Sequence, residues 1–237
     1  MQVTEVTHNF NLDNVVPFFH PIMDLDNNAV WSYECLARLL TLDKNCYLPT
    51  EFLFLVERQQ SLAQLTQTVF SNSASYFRDI NMAWNINLSL SDITDSGTLD
   101  FLQSQLMYYP NPKRISIEIT AQNALVENAK FSQFSEIYDA LGINIVIDNL
   151  DEKECDLQAI LRLPISAIKV SATLFDKTAS GVKTKDFVKG LVSSAASNKV
   201  VVTAERIEHQ ETLDVAKLLG IKYAQGFYFC QPKVKIN

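Results

Sequence analysis

The chain has 237 residues, 47% of them hydrophobic, which is enough to fill the core of one β/α barrel or of two small domains. A net charge of −7 argues against sequence-independent binding to long nucleic acid, which relies on many Lys and Arg contacts to phosphate. Cys35, Cys46, Cys155 and Cys230 lie far apart with no C-x-x-C pair, and neither a leader peptide nor a run of ~18 apolar residues is visible, so a reducing cytoplasm without membrane contact is expected.

Residues 1–14 are polar and read as a loose arm or short cap, with residues 15–237 as a single domain. Phe18 to Asp24 and Val30 to Leu36 read as two strands around Asp26-Asn27-Asn28, where Asn tolerates positive φ and suits a tight hairpin. Pro49 opens a helix through Arg58 with Glu51 in its first turn, and Ser61 to Phe77 carries apolar residues at helical spacing. The remaining elements alternate. A strand at 84–88, a helix near 98–108 and a strand at 115–120 precede a helix at 130–141 that stops at Gly142. Strand 143–148, a short helix near 156–162, strand 167–170, helix 184–197, strand 199–204, helix 210–219 and a last strand near 222–229 complete the chain. On that last strand Phe227, Tyr228 and Phe229 are expected to alternate inside and outside, as core rather than as a stacking platform.

Most of these strands stop at a group able to bind metal or move a proton: Glu34, Asn87, Glu118, Asp148, Lys169, Glu205 and Gln225. Strands alternating with helices point to a β/α barrel, whose chemistry sits at the C-terminal ends of its strands. The opening hairpin departs from that plan. Parallel neighbours need a long crossover and the first two strands have none, so one strand runs against the rest.

With these strand ends in place the chain resembles the EAL-domain family, whose members are cyclic di-GMP phosphodiesterases or inactive relatives. The name motif reads Glu34-Cys35-Leu36, and Arg38 follows at the spacing of a phosphate-contacting arginine. His20-Pro21-Ile22 stands for Gln-Pro-Ile, Asn87-Leu88-Ser89 for Asn-Leu-Ser, and Glu118-Ile119-Thr120 for Glu-Ile-Thr. Asp148-Asn149-Leu150 replaces Asp-Asp-Phe, Ile168-Lys169-Val170 resembles Ile-Lys-Ile, Ala204 to Glu208 resembles Ala-Glu-Gly-Val-Glu, and Ala224-Gln225-Gly226-Phe227 resembles Ala-Gln-Gly-Tyr. The resemblance implies an EAL-type modified (β/α)8 barrel that binds cyclic di-GMP with Mg2+ or Mn2+. By the same resemblance Glu34, Asn87, Glu118 and Asp148 would hold a first metal, and Asp148 with Asn149 would reach a second. Lys169 would steady the nucleophile or phosphate, and Glu205 would orient or deprotonate water. Gln225 would hold water or ligand, and Arg38 would contact phosphate unless it forms a structural ion pair. Glu208 is either a supporting group beside Glu205 or the start of the next helix. His20, near the expected guanine position, reads more readily as a packed wall residue than as a ligand.

Several departures gather in one place. Asn149 replaces a second Asp, although two dications about 4 Å apart repel by about 16 kcal/mol at an effective dielectric near 20 and need carboxylates to offset it. The glycine-containing loop of the family is replaced by Asn149-Leu-Asp-Glu-Lys-Glu-Cys-Asp156, and the glutamate that anchors it by Ala121. Ser171 replaces an Asp after the lysine, and Arg206 a glycine after Glu205. The expected outcome is a cyclic di-GMP-binding domain with weak or lost hydrolysis, acting as a signalling effector. An ordinary phosphodiesterase yielding the linear dinucleotide and a ligand-independent regulator that docks a protein partner are the alternatives. The acidic run Asp151, Glu152, Glu154 and Asp156 reads as a solvated loop or, alternatively, as a docking patch. A homodimer is compatible with the resemblance, but no motif fixes it.

Overall fold

A computed structural model describes Val6 and residues 10–43, 45–126, 128–150, 157–174 and 182–236. The chain opens with β1 (Val15–Asp24) and β2 (Ala29–Leu40), an antiparallel hairpin. Its turn is built as the Asn-rich sequence predicts. Asn28 takes φ 49°, and the Asp24 carboxylate accepts hydrogen bonds from the backbone N–H groups of Asp26 and Asn27 and from Asn27 Nδ2. Both strands extend beyond the ranges read from sequence. As a result Glu34 lies in the middle of β2, opposite His20, rather than at a strand end.

The two-residue β3 (Cys46–Tyr47) pairs with the end of β2 and leads into α1 (Pro49–Arg58). Pro49 occupies the first helical turn, where a missing N–H costs nothing, and the Glu51 carboxylate accepts from the Leu48 N–H. Then follow α2 (Leu62–Phe77), β4 (Ala83–Asn87), α3 (Leu90–Thr94) and α4 (Ser96–Leu106). The short α3 is an addition to the elements read from sequence. It begins at Ser89, whose hydroxyl accepts from the Asp92 N–H while the Asp92 carboxylate accepts from the Ser89 N–H. Asp95 then caps α4 through the Thr98 N–H, which sets that helix two residues earlier than expected.

The parallel wall continues through β5 (Ile115–Thr120), α5 (Ala121–Val126), α6 (Asn128–Ala140), β6 (Asn144–Leu150), α7 (Leu157–Leu161), β7 (Ala167–Ser171), α8 (Val182–Ser197), β8 (Val201–Glu205), α9 (Gln210–Leu218) and β9 (Tyr223–Ala224). Gly142, φ 77°, and Gly220, φ 84°, follow α6 and α9 in the left-handed conformation that ends helices. The strand order is β1-β9-β8-β7-β6-β5-β4-β2, closed by the β1–β2 pairing, with β3 outside the ring. Seven of these eight strands are mutually parallel, and β1 is antiparallel to both neighbours. The last strand is shorter than the predicted 222–229. Residues after Gln225 turn away, leaving Phe227 57% and Tyr228 42% exposed, so this aromatic trio is not the alternating core strand expected.

Apolar packing between barrel and helices fixes the outer layer. Phe70, Phe77 and Trp84 are fully buried, with Trp84 donating its indole N–H to Tyr109 Oη at 3.1 Å. Inside the barrel the residues depart from the usual branched aliphatics. Ser32, Glu34, Asn85, Glu118, Lys169 and Thr203 are all buried on inward positions of five strands.

Candidate functional site

Side chains alternate across a strand, so residues two apart share a face. This places Asn85 and Asn87 of β4 on one inward row, and Lys169 and Ser171 of β7 on another. At the centre stands the Lys169 ammonium. It donates to Glu34 Oε2 at 2.9 Å and to Glu118 Oε2 at 2.8 Å, and lies 3.9 Å from Asp148 Oδ1. Glu34 also accepts from Asn87 Nδ2 at 2.9 Å and from Gln225 Nε2 at 2.8 Å. Glu118 Oε1 accepts from Asn85 Nδ2 at 2.8 Å, and Asn85 Oδ1 accepts from Ser32 Oγ at 3.1 Å. Asn85 is absent from the candidates read from sequence, although the Asn-Ile-Asn alternation of β4 carries the signal.

Asp148 is aimed by an irregularity in β6. Ile147 pairs with Ile168 but Leu150 pairs with Val170, so three steps on β6 match two on β7. Asn149 takes φ 54° at this bulge and is exposed. An Asn tolerates that conformation better than most residues. Its side chain makes no hydrogen bond or ion pair with the described residues, and the Asp151–Asp156 loop lies outside them.

The remaining candidates separate into two groups. His20, Glu34, Glu205, Arg206, Glu208, Gln225, Gly226 and Phe227 line one cavity of about 290 Å3. His20 is buried, its Nε2 3.0 Å from the Cys230 carbonyl and its ring 5.9 Å from that of Phe227. His20 is thus both packed into the wall and part of the cavity lining. Arg38 is elsewhere. Its guanidinium donates to the Ala37 carbonyl at 2.7 Å and lies 5.9 Å from the Phe18 ring centroid, half-buried and away from this cavity. A second, larger hollow of about 590 Å3 reaches Asn87 and Glu118 from the side of α1 and α2.

Burial would raise Glu34, but the Lys169 charge and the hydrogen bonds from Lys169, Asn87 and Gln225 outweigh it and hold the carboxyl down to about 2. Glu118 goes the other way. Burial and the neighbouring Glu34 charge push it well above the usual carboxylate range. Burial also raises Asp148, and burial followed by the Asp148 charge pushes Glu205 up to about 7. Burial pulls Lys169 down, but the Glu118 and Glu34 charges prevail and keep it firmly protonated. His20 is lowered by burial and is neutral at pH 7.

Among the described residues no three His, Cys, Asp or Glu side chains converge at metal-ligand spacing. The reason is visible: Lys169 draws the Glu34 and Glu118 oxygens onto its ammonium. The donor set nonetheless fits a hard cation. Glu34, Glu118, Asp148 and Glu205 carry four charges when ionised against one on Lys169, and Asp148 Oδ1 and Glu205 Oε1 are buried without a hydrogen-bond partner among the described residues. Oxygen-only donors with surplus negative charge suit Mg2+ or Mn2+ rather than a thiophilic ion.

Fold and site together define a β/α barrel with a buried acid–lysine centre reached through the C-terminal mouth of its parallel strands. The chain belongs to the EAL domain family, which matches it over residues 4–232. The cyclic di-GMP phosphodiesterase PdeB of Shewanella oneidensis is 21% identical over 225 residues, covering 91% of this chain and 26% of that protein. Across the first five curated relatives the chain spans between 26% and 46% of their length. The EAL domain of FimX from Pseudomonas aeruginosa, solved bound to c-di-GMP, superposes with TM-score 0.84 at 19% identity, covering 100% of this chain and 96% of that one. Bacillus subtilis YkuI, solved with c-di-GMP and calcium, superposes with TM-score 0.84 at 18% identity, covering 100% of this chain and 59% of that one. At such identities the superpositions establish the fold.

Proposed function

We propose that this chain is a cyclic di-GMP-binding EAL domain whose phosphodiester hydrolysis is slow or absent. The observation that carries the reading is the surplus of carboxylates around a single ammonium, with Asp148 Oδ1 and Glu205 Oε1 lacking a hydrogen-bond partner among the described residues. Membership of a family with cyclic di-GMP phosphodiesterase relatives supports the ligand. Glu34, Glu118, Asp148 and the carbonyl oxygen of Asn87 would hold one divalent ion, Mg2+ or Mn2+. Such an ion would offset phosphate charge and acidify a bound water. Asn149 supplies only a neutral amide beside Asp148, which weakens any second position.

Glu205 has the properties of a proton acceptor near neutrality, because burial and the Asp148 charge bring it to about 7. Lys169 keeps Glu34 and Glu118 from repelling each other and fixes their positions. Gln225, directly after β9, orients Glu34 and lines the cavity. Glu208 shares that cavity wall with Glu205. The first-metal ligands implied by the resemblance, Glu34, Asn87, Glu118 and Asp148, are present together with Lys169, and this favours a second reading, an active phosphodiesterase giving the linear dinucleotide. A protein-docking role independent of ligand is the third.

One experiment separates them: calorimetry with cyclic di-GMP in Mg2+, Mn2+ and EDTA, together with chromatography of the products. Binding with little turnover supports the proposal. Turnover matching that of intact relatives, abolished by Glu34→Ala, establishes the second reading. Neither heat nor a thermal shift under any condition refutes both and leaves the docking role.

A further inference from the structure

We propose that Arg206 is a phosphate-holding cation of this site, placed at the cavity mouth to meet a phosphodiester oxygen of the bound dinucleotide. The inference rests on the cyclic di-GMP reading above. A dinucleotide phosphodiester entering this cavity would face Glu34, Glu205 and Glu208, three side chains that repel it when ionised. The buried ammonium of Lys169 is not free to help, because Glu34 and Glu118 each take a hydrogen bond from it and Asp148 stands 3.9 Å away. Arg38 donates to the Ala37 carbonyl and does not line this cavity. Arg206 is the one Lys or Arg among the described residues that line it.

The backbone placement is specific. Arg206 follows Glu205 directly at the end of β8 and takes φ 60°, in the left-handed region that a glycine adopts freely and a long side chain does not. The conformation is enforced from both sides. Residue 205 is paired in the sheet through Ser171, while Ile207 donates to the Gln225 carbonyl at 3.0 Å and accepts from the Tyr228 N–H at 3.0 Å. The side chain is exposed and makes no hydrogen bond or ion pair with the described residues. Its charge nonetheless acts on both Asp148 and Glu205. A guanidinium with five donors, unpaired among the described residues and lining a cavity with Glu34, Glu205 and Glu208, is suited to bidentate binding of a phosphate oxygen pair.

The test is calorimetry of cyclic di-GMP binding to the full chain and to Arg206→Gly and Arg206→Lys, in Mn2+ and in EDTA, over a range of salt. Glycine suits φ 60°, so Arg206→Gly should fold, and a thermal melt without ligand checks this. The expected result is binding weakened about tenfold or more in Arg206→Gly, with a shallower salt dependence, and partly retained in Arg206→Lys. Equal or tighter binding by Arg206→Gly, with wild-type binding intact, overturns the proposal and leaves the ligand reading standing. Absence of binding by the wild type in both buffers overturns the ligand reading and the proposal together.

Discussion

Lys169 Nζ lies 2.9 Å from Glu34 Oε2, although 135 residues separate them in sequence. The same ammonium reaches Glu118 at 2.8 Å, so β2, β5 and β7 are joined through one buried cation. Burying these charges is costly, and Lys169 offsets that cost for Glu34 and Glu118 by donating a hydrogen bond to each carboxylate. Stability follows from that pairing rather than from the charges themselves.

Removing the cation alone should therefore be severe. Lys169→Met leaves Glu34 and Glu118 buried without compensation and is expected to destabilise the fold by about 3–5 kcal/mol in urea unfolding. Adding Glu34→Gln to Lys169→Met should recover part of that loss, because one uncompensated charge disappears. A double variant no more stable than the single one would show that the ammonium contributes through packing instead.

Glu205 gives a pH dependence with a defined sign. Its folded value, about 7, lies above the ordinary carboxylate value of 4.5, so the folded state holds this proton more tightly than the unfolded chain does. The stabilisation is fully present below about 4.5 and is lost as pH rises through about 7; at about 1.36 kcal/mol per pH unit it is at most about 3 kcal/mol. In EDTA, Glu205→Gln should gain stability over the wild type between pH 5 and pH 8. A difference that stays constant with pH contradicts the assignment. Glu118 and Asp148 are also raised and act in the same direction, so the comparison must be wild type against variant rather than the wild-type slope alone.

Asn149 offers a gain-of-function test. Asn149→Asp adds a carboxylate next to Asp148 at the β6 bulge and should raise Mn2+ affinity and any hydrolytic rate. The recovery should be partial, because Ala121 stays buried at the start of α5 and supplies no carboxylate. Rates are read by chromatography of the linear product across a Mn2+ titration. An unchanged rate and an unchanged Mn2+ dependence would mean that the missing acid is not what limits the second position.

The sequence reveals the barrel because its strands are short apolar runs closed by Gly or Asn turns and separated by helical spacing. Gly142 and Gly220 mark helix ends correctly, and the Asn27-Asn28 turn marks the one antiparallel pair that a hairpin can make. The polar residues are legible as strand endings, but their depth is not. Glu34 belongs to the middle of a twelve-residue strand, which only the pairing with His20 and Asn85 reveals. The alternation of β4 puts Asn85 on the same face as Asn87, but its partners, Ser32 and Glu118, are 53 and 33 residues away and cannot be read from that pattern. The ending at 222–229 misleads for a different reason. Tyr223 and Ala224 pair with β8, but Gly226 lets the chain turn against Ile207, and the apolar Phe227 and Tyr228 are carried outward.

That turn supports the last prediction. A Cβ on Gly226 would lie 2.0 Å from the Ile207 carbonyl oxygen and 2.3 Å from its nitrogen, both backbone atoms without a flexible way to yield. Gly226→Ala must displace either the segment after β8 or the one after β9. It is expected to cost about 1–3 kcal/mol or more, as overpacking does. Because Gln225 donates to Glu34 from the adjoining residue, the displacement should also weaken ligand binding. Gly190, exposed within α8 with open space for 4 Å around the position a methyl group would take, is the matched control. Gly190→Ala should stabilise by up to about 1 kcal/mol through helix propensity alone, with ligand binding unaltered. Equal effects of the two substitutions in thermal unfolding and calorimetry would mean that the close approach of Gly226 to Ile207 does not hold the cavity wall.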